Sequence, residues 1–226
     1  INETNVGLAK AMNIGIKKCL ENSSCEFIAL FDQDSAPIVG MLDRLKDVLV
    51  KDKLIAAAGP RIVDVKKIKR TLDSERIIPT DVIISSGCLM SVKNLKEVGL
   101  MDETFFIDYI DYEWCLRAKS KGYKVVQVRD AELLHNMGDT FVNFFGISKP
   151  LHINKLRHYY IIRNQLIFIS RKHIPLKYRL IHFVKLFYRI PAYLFLSNDK
   201  ISSWKLIIRA FIDFFKNRKE YLEIKY

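Results

Sequence analysis

Phe27-Ile28-Ala29-Leu30-Phe31-Asp32-Gln33-Asp34-Ser35 is the stretch on which the reading of the fold turns. Its first five residues are wholly apolar, and a run of that length without alternation suits a strand buried on both faces, as in a parallel sheet. The strand runs straight into two carboxylates at i and i+2, with Pro37 following at the start of a helix. Ligands of open α/β sheets bind outside the carboxyl ends of the strands, so Asp32 and Asp34 stand where a ligand is expected. Such a pair suits a hard divalent cation, which in turn neutralises a diphosphate. Asp and Ser also favour turns and caps, so a D-x-D by itself reads equally as an ordinary turn. The apolar strand before it favours the functional reading.

Outward from this stretch, Val6 to Leu20 reads as a helix, with Leu8, Ala11, Met12, Ile16 and Leu20 at helical spacing and Lys17 and Lys18 near its end. Ile38 to Val50 is a second amphipathic helix. Ile55 to Ile62 is another buried strand, interrupted by Gly59-Pro60, and residues 64–80 are charged and aperiodic, as in a surface loop. Val82-Ile83-Ile84 leads into Ser85-Ser86-Gly87. Val92 to Val98 is a short helix closed by Gly99, Tyr112 to Lys121 a helix ended by Gly122, and Lys124 to Val128 a strand. Strands alternating with helices predict an α/β sandwich around a mainly parallel sheet.

A second acidic constellation lies in Phe105-Phe106-Ile107-Asp108-Tyr109-Ile110-Asp111-Tyr112-Glu113-Trp114-Cys115-Leu116-Arg117. Asp108, Asp111 and Glu113 crowd the start of a helix, where negative charge is stabilised. Capping accounts for one or two acids, not readily for three amid aromatic neighbours, and a half-buried carboxylate there has the character of a general base. His135 follows the next strand, beside Gly138-Asp139. A lone histidine near a strand end is usually structural, yet a neutral imidazole there suits a site begun by Asp34.

The composition excludes disorder, since half of the 226 residues are hydrophobic. Cys19, Cys25, Cys88 and Cys115 form no C-x-x-C, which suits reduced thiols in a cytosolic compartment. Residues 1–150 hold 21 Lys and Arg against 21 Asp and Glu, whereas residues 151–226 hold 16 against 4, so the whole surplus of +12 sits in the last third. The chain therefore divides into a catalytic domain over 1–150 and a basic amphipathic helical region over 151–226. Tyr178 to Leu196 and Ser203 to Phe215 are its clearest helices, with Pro191 kinking or breaking the first. No recognition motif for nucleic acid accompanies the basic residues, and none is expected as a partner. Lys185, Arg189 and Pro191 argue against a spanning helix, which leaves an interfacial helix pair on an anionic inner membrane surface, or plain packing on the sheet with a solvated basic face.

Taken together, these residues resemble the inverting glycosyltransferases of the GT-A fold, the family 2 type that includes bacterial polysaccharide transferases, over roughly residues 2–165. Asn5-Val6-Gly7-Leu8-Ala9 with Asn13-x-Gly15 is similar to the family's N-x-G-x-A…N-x-G segment, Asp32-Gln33-Asp34 to its D-x-D, Asp111 to Arg117 to its D-x-D/E-(hydrophobic)-C-x-R motif, and His135 to its metal-binding histidine. Ile84-Ser85-Ser86-Gly87, Phe106-Ile107-Asp108-Tyr109 and Arg157-His158-Tyr159-Tyr160-x-x-Arg163-Asn164 resemble the rhamnosyltransferase branch and relatives that transfer galactofuranose.

The resemblance implies a GT-A, Rossmann-like sandwich with a C-terminal helical extension. It implies Asp34 and His135 as ligands of Mg²⁺ or Mn²⁺, Asp32 near the ribose or assisting the metal, and Asp111 as general base. Asn5, Gly7, Asn13 and Gln33 would line the nucleotide pocket. Arg163, and Arg157 beside it, would contact diphosphate, and Trp114, Tyr109 and Asp108 would face the acceptor, although core packing explains the aromatics equally well. The implied partners are a dTDP- or UDP-linked sugar donor and a glycan or lipid-linked glycan acceptor at the cytoplasmic face of the plasma membrane. The family's first β-α-β unit is missing here, and a chain that begins Ile1-Asn2-Glu3 at a helix start is expected to lack upstream sequence. The rival expectation is an inactive fragment that serves as a membrane-associated interaction module.

Overall fold

The computed structural model describes residues 4–64, 76–135, 141–144, 147–150, 155–196 and 199–224. Strands β1 (Phe27–Ala29), β2 (Ser35–Pro37), β3 (Ile55–Asp64), β4 (Ile77–Thr80), β5 (Leu89–Ser91) and β6 (Lys124–His135) form one sheet in the order β1-β5-β3-β6-β2, with β4 also paired to β6. β7 (Phe141–Phe144) and β8 (Ile147–Pro150) make a separate hairpin. The helices are α1 (Leu8–Leu20), α2 (Met41–Lys51), α3 (Val92–Val98), α4 (Ile110–Ser120), α5 (Lys155–Ser170), α6 (Leu176–Leu196), α7 (Lys200–Lys216) and the short α8 (Arg218–Tyr221). α6 runs unbroken through Pro191.

The sheet is mixed, which corrects the expectation of a mainly parallel one. Among the described residues only β3 and β6 run parallel, while β1–β5, β5–β3, β6–β2 and β6–β4 are antiparallel. An apolar run buried on both faces carries no mark of its neighbours' direction. β4 lies within the segment read as loop, and its Pro79 suits a short strand at a sheet margin.

β3 and β6 form the spine. Their register runs from Ile55↔Lys124 to Pro60↔Val128 and resumes at Arg61↔Glu132, leaving residues 129–131 unpaired on the β3 side as a bulge. Val126 and Val128 before it, and Ala131 and Leu133 after it, all join the core under α2. The odd insertion thus switches which alternate positions face that helix.

Two cores flank the sheet. On one face α2 buries Met41, Leu45, Val48 and Leu49 against Ala58, Val126 and Leu133. On the other, Ala9, Ile16, Met90, Leu95, Phe105 and Trp114 are continuous with Ile162, Phe168, Leu186, Ile207 and Phe214 from α5, α6 and α7. A division at residue 150 therefore separates the chain by charge, while packing runs across it. All four cysteines are free, with Cys88 and Cys115 buried.

Candidate active site

The D-x-D turn leaves β1 and is anchored by the turn at residues 85–88. Gly87 N–H donates to the Leu30 carbonyl at 2.7 Å, and Leu30 N–H to that of Cys88 at 3.1 Å. Ser86 Oγ accepts from Asp32 N–H at 3.1 Å and donates to Ser35 Oγ at 2.7 Å. Gly87 is required there. Its φ is +76°, and a Cβ would lie 2.8 Å from Pro60 Cγ. β2 then pairs with the end of β6, Ser35 opposite His135, so the backbone sets Asp34 and His135 at one sheet edge.

The second wall is the turn into α4. Asp108 and Tyr109 have φ of 64° and 67°, consecutive left-handed residues that need outside support. Asn164 supplies it, Nδ2 donating to the Ile107 carbonyl at 2.6 Å and to that of Asp108 at 3.4 Å. Arg157 holds the Asp108 carboxylate through Nε at 3.1 Å and Nη2 at 3.0 Å. The Tyr109 hydroxyl meets His182 Nδ1 at 2.9 Å and accepts from Arg189 Nη1 at 3.1 Å.

Asp111 follows in the first turn of α4. Burial pushes its carboxyl up to about 6; hydrogen bonds from the Ser85 hydroxyl and N–H oppose that rise, and the charges of Asp32 and Asp108 add to it. Asp111 and Ser85 border a small, mainly apolar cavity of about 20 Å³, lined also by Leu30, Ile83, Met90, Trp114 and Cys115. Asp32 of the D-x-D turn thus comes near Asp108 and Asp111 at the start of α4, close enough for its charge to act on Asp111. These carboxylates can hold a hydroxyl and take its proton.

Other expected site residues make contacts within the fold. Asn13 is 1% exposed, donates to Met101 O at 2.8 Å and Glu103 Oε1 at 3.0 Å, and accepts from Met101 N–H. Gly7 stacks against Phe106, whose ring a Cβ would meet at 2.5 Å, and the exposed Asn5 accepts from Gly7 N–H. This segment docks α1 onto the 101–106 loop. Arg163 is buried, donates to the Thr104 carbonyl and Asn164 Oδ1, and lies over the rings of Tyr159, Tyr160 and Tyr221. Trp114 is packed in the core, 2% exposed with Nε1 donating to Gly99 O. The Tyr109 hydroxyl is engaged by α6. Glu113, the third acid, is fully buried and grips Arg117 Nε at 2.9 Å and Nη2 at 3.0 Å. Gln33 is exposed on the D-x-D turn.

Sequence reasoning assigned no role to Ser85, Ser86, Asn164, His182 or Arg189. The paired hydroxyls of Ser85-Ser86 before Gly87, and Asn164 directly after an arginine, were the available signals.

Among the described residues no three His, Cys, Asp or Glu side chains cluster as a metal site. The His135 side chain and the stretch with Gly138-Asp139 lie outside the described residues. Carboxylate oxygens and an imidazole nitrogen, the donor types that Asp32, Asp34 and His135 carry, are of the kind that suits Mg²⁺ or Mn²⁺.

No protein-family model matches the chain. It is 37% identical over 188 residues to a dTDP-rhamnosyl transferase, RfbF, of Shigella flexneri, covering 76% of this chain and 62% of that protein, so it spans less than two thirds of the relative's length. Similar solved structures include GalNAc-T7 with UDP, GalNAc and Mn²⁺ (14% identity, TM-score 0.55, 99% of this chain and 46% of that one). The mannosyltransferase PcManGT from Pyrobaculum calidifontis with GDP-Man and Mn²⁺ is another (12%, 0.52, 93% and 55%). S. aureus TarS 1–349 with UDP-GlcNAc is a third (11%, 0.56, 99% and 64%). These similarities establish the α/β fold as that of the GT-A glycosyltransferases.

Proposed function

We propose that this chain, whose fold is that of the GT-A glycosyltransferases and whose sequence is similar to a dTDP-rhamnosyl transferase, transfers a sugar, L-rhamnose from a dTDP-linked donor, onto a glycan hydroxyl with inversion. The observation that carries the reading is Asp111: a half-buried carboxylate oriented by the Ser85 hydroxyl and N–H and raised to about 6, so that it is ionised at neutral pH yet takes a proton readily. Asp111 accepts the acceptor's proton as the acceptor oxygen bonds to the anomeric carbon. The bond from that carbon to the diphosphate breaks on the opposite face, and configuration inverts in one displacement. Asp34, His135 and Asp32 would hold Mg²⁺ or Mn²⁺, which when bound neutralises diphosphate charge. Asp108 and Arg157 fix the turn that presents Asp111 and bound the acceptor side. A lipid-linked glycan in surface-polysaccharide synthesis is the acceptor class this reading favours.

The test is Mn²⁺-dependent binding of dTDP and UDP by calorimetry, followed by transfer from dTDP-rhamnose. Asp34→Ala is expected to lose metal-dependent nucleotide binding. Asp111→Asn should keep that binding while kcat falls about 10²–10⁴-fold, the usual contribution of a general base. Turnover that survives Asp111→Asn, or absence of nucleotide binding by the unaltered chain, overturns the reading. Tighter binding of UDP than dTDP would move the donor to a UDP-hexose, as with UDP-galactofuranose.

A further inference from the structure

α6 and α7 turn apolar side chains outward. On α6, Leu176, Leu180, Phe183, Val184, Phe187 and Phe195 are exposed, Phe187 at 68% and Phe195 at 75%. At 100° per residue they fall on one face, opposite the buried His182, Leu186 and Tyr193. On α7, Ile201, Trp204, Ile208, Ile212 and Phe215 recur at spacings of three and four and are exposed, opposite the buried Ser203, Ile207, Ala210 and Phe214. An ordinary surface helix is apolar inward and polar outward, whereas these two carry apolar side chains on both faces. An apolar surface of this extent on a soluble protein marks a binding face.

The rim of that face is basic. Lys205, Arg209 and Lys216 flank the α7 stripe, and Lys177 lies within the α6 face; all four are exposed. α6 has no Asp or Glu, and the one acid of α7, Asp213, accepts from the Tyr159 hydroxyl at 2.6 Å and lies 3.5 Å from Arg209 Nε, whose side chain stays 71% exposed. Self-pairing would bring these like charges together, whereas a surface of phosphate headgroups over acyl chains complements both rim and stripe. Among the described residues no helix is long and apolar enough to cross a membrane.

We propose that the outer face of α6 and α7 docks in the plane of an anionic lipid bilayer. Its aromatic and aliphatic side chains enter the headgroup–acyl boundary, and Lys205, Arg209 and Lys216 meet phosphates. Docking does not depend on the chemistry at Asp111, but it brings lipid close to it. The inner face of α6 carries the His182 and Arg189 that grip Tyr109, so lipid lies about one helix diameter, roughly 10 Å, from the catalytic turn.

The experiment is co-sedimentation of the chain with phosphatidylcholine vesicles and with mixed phosphatidylcholine–phosphatidylglycerol vesicles, beside a Phe187→Glu/Trp204→Glu variant. Both side chains are more than half exposed, so the variant should fold, and an unchanged thermal melt checks that. The chain is expected to bind the anionic vesicles, less so in high salt, and the variant's partition coefficient should drop about tenfold or more. No binding to anionic vesicles, or binding the variant leaves intact, overturns the proposal. A dimer seen by ultracentrifugation and dissolved by the same variant would instead assign the face to a second copy of the chain.

Discussion

At Asp111, burial and the neighbouring acids work against ionisation while Ser85 favours it, and the balance at about 6 has two measurable consequences. First, kcat/KM for sugar transfer should rise with pH and level off above about 6, a dependence that initial rates across a pH series would reveal. Second, a carboxyl whose pKa is raised on folding contributes stability that is complete below its unfolded value near 4 and lost as pH rises through 6. Asp111→Asn is therefore expected to melt higher than the parent at pH 7, by about 2–3 kcal/mol, with the gap closing below pH 4. Equal melting curves at both pH values would contradict the burial account. Asp111 and Asp108 stood out in sequence because three acids amid aromatic neighbours exceed what capping a helix start needs, and Asp32 because it follows a wholly apolar strand. The burial of Arg163 and Trp114 did not. From His158 to Phe168 every residue but Tyr160 is buried, so periodicity could not tell which way Arg163 faced.

The element that positions the base is the turn into α4, and its geometry is imposed from α5 and α6. Consecutive left-handed residues at 108 and 109 cost on the order of 1–3 kcal/mol each, and Asn164 ties down the carbonyls just where that cost arises. Asn164→Ala should lower stability by about 1–3 kcal/mol through the unmet carbonyls and Arg163. It should also reduce kcat while leaving nucleotide affinity near the parent value; thermal melts with steady-state kinetics separate the two effects. A loss of nucleotide binding equal to the loss of kcat would mean that the turn does not act through Asp111. Helices were easier to read than strands at this scale. α3 begins and ends where its period and Gly99 predict, and α1, α2 and α4 lie within a few residues of expectation. Strand direction stayed hidden because pairing partners are chosen by tertiary packing, which a single apolar run does not encode.

Across the whole molecule, α4 and the segment after α5 are joined by buried charge. Glu113 holds Arg117 on one side and lies 2.9 Å from His173 Nε2 on the other, while Arg171 pairs with Asp102. Burial tends to raise the Glu113 carboxyl, but His173 and Arg117 together hold it below the usual range, so its contribution is present at neutral pH and lost as the solution is acidified. Glu113→Gln removes the carboxylate that balances the buried Arg117 guanidinium, at a cost of about 3–5 kcal/mol. The melt should remain one transition because the core is continuous from α1 to α7, and two resolved transitions would show that the two parts unfold separately.

The bulge at residues 129–131 gives β6 something like a reading frame. Its three residues are an odd insertion, so everything downstream is spelled in the opposite phase from what precedes it. Removing one residue would throw Leu133 from the core to the other face and carry Ser35's strand out of step with it. Removing two would restore the phase with a shorter spine. Length variation in this stretch is thus expected to be tolerated in pairs and not singly: a two-residue deletion should fold as a soluble protein where a one-residue deletion fails.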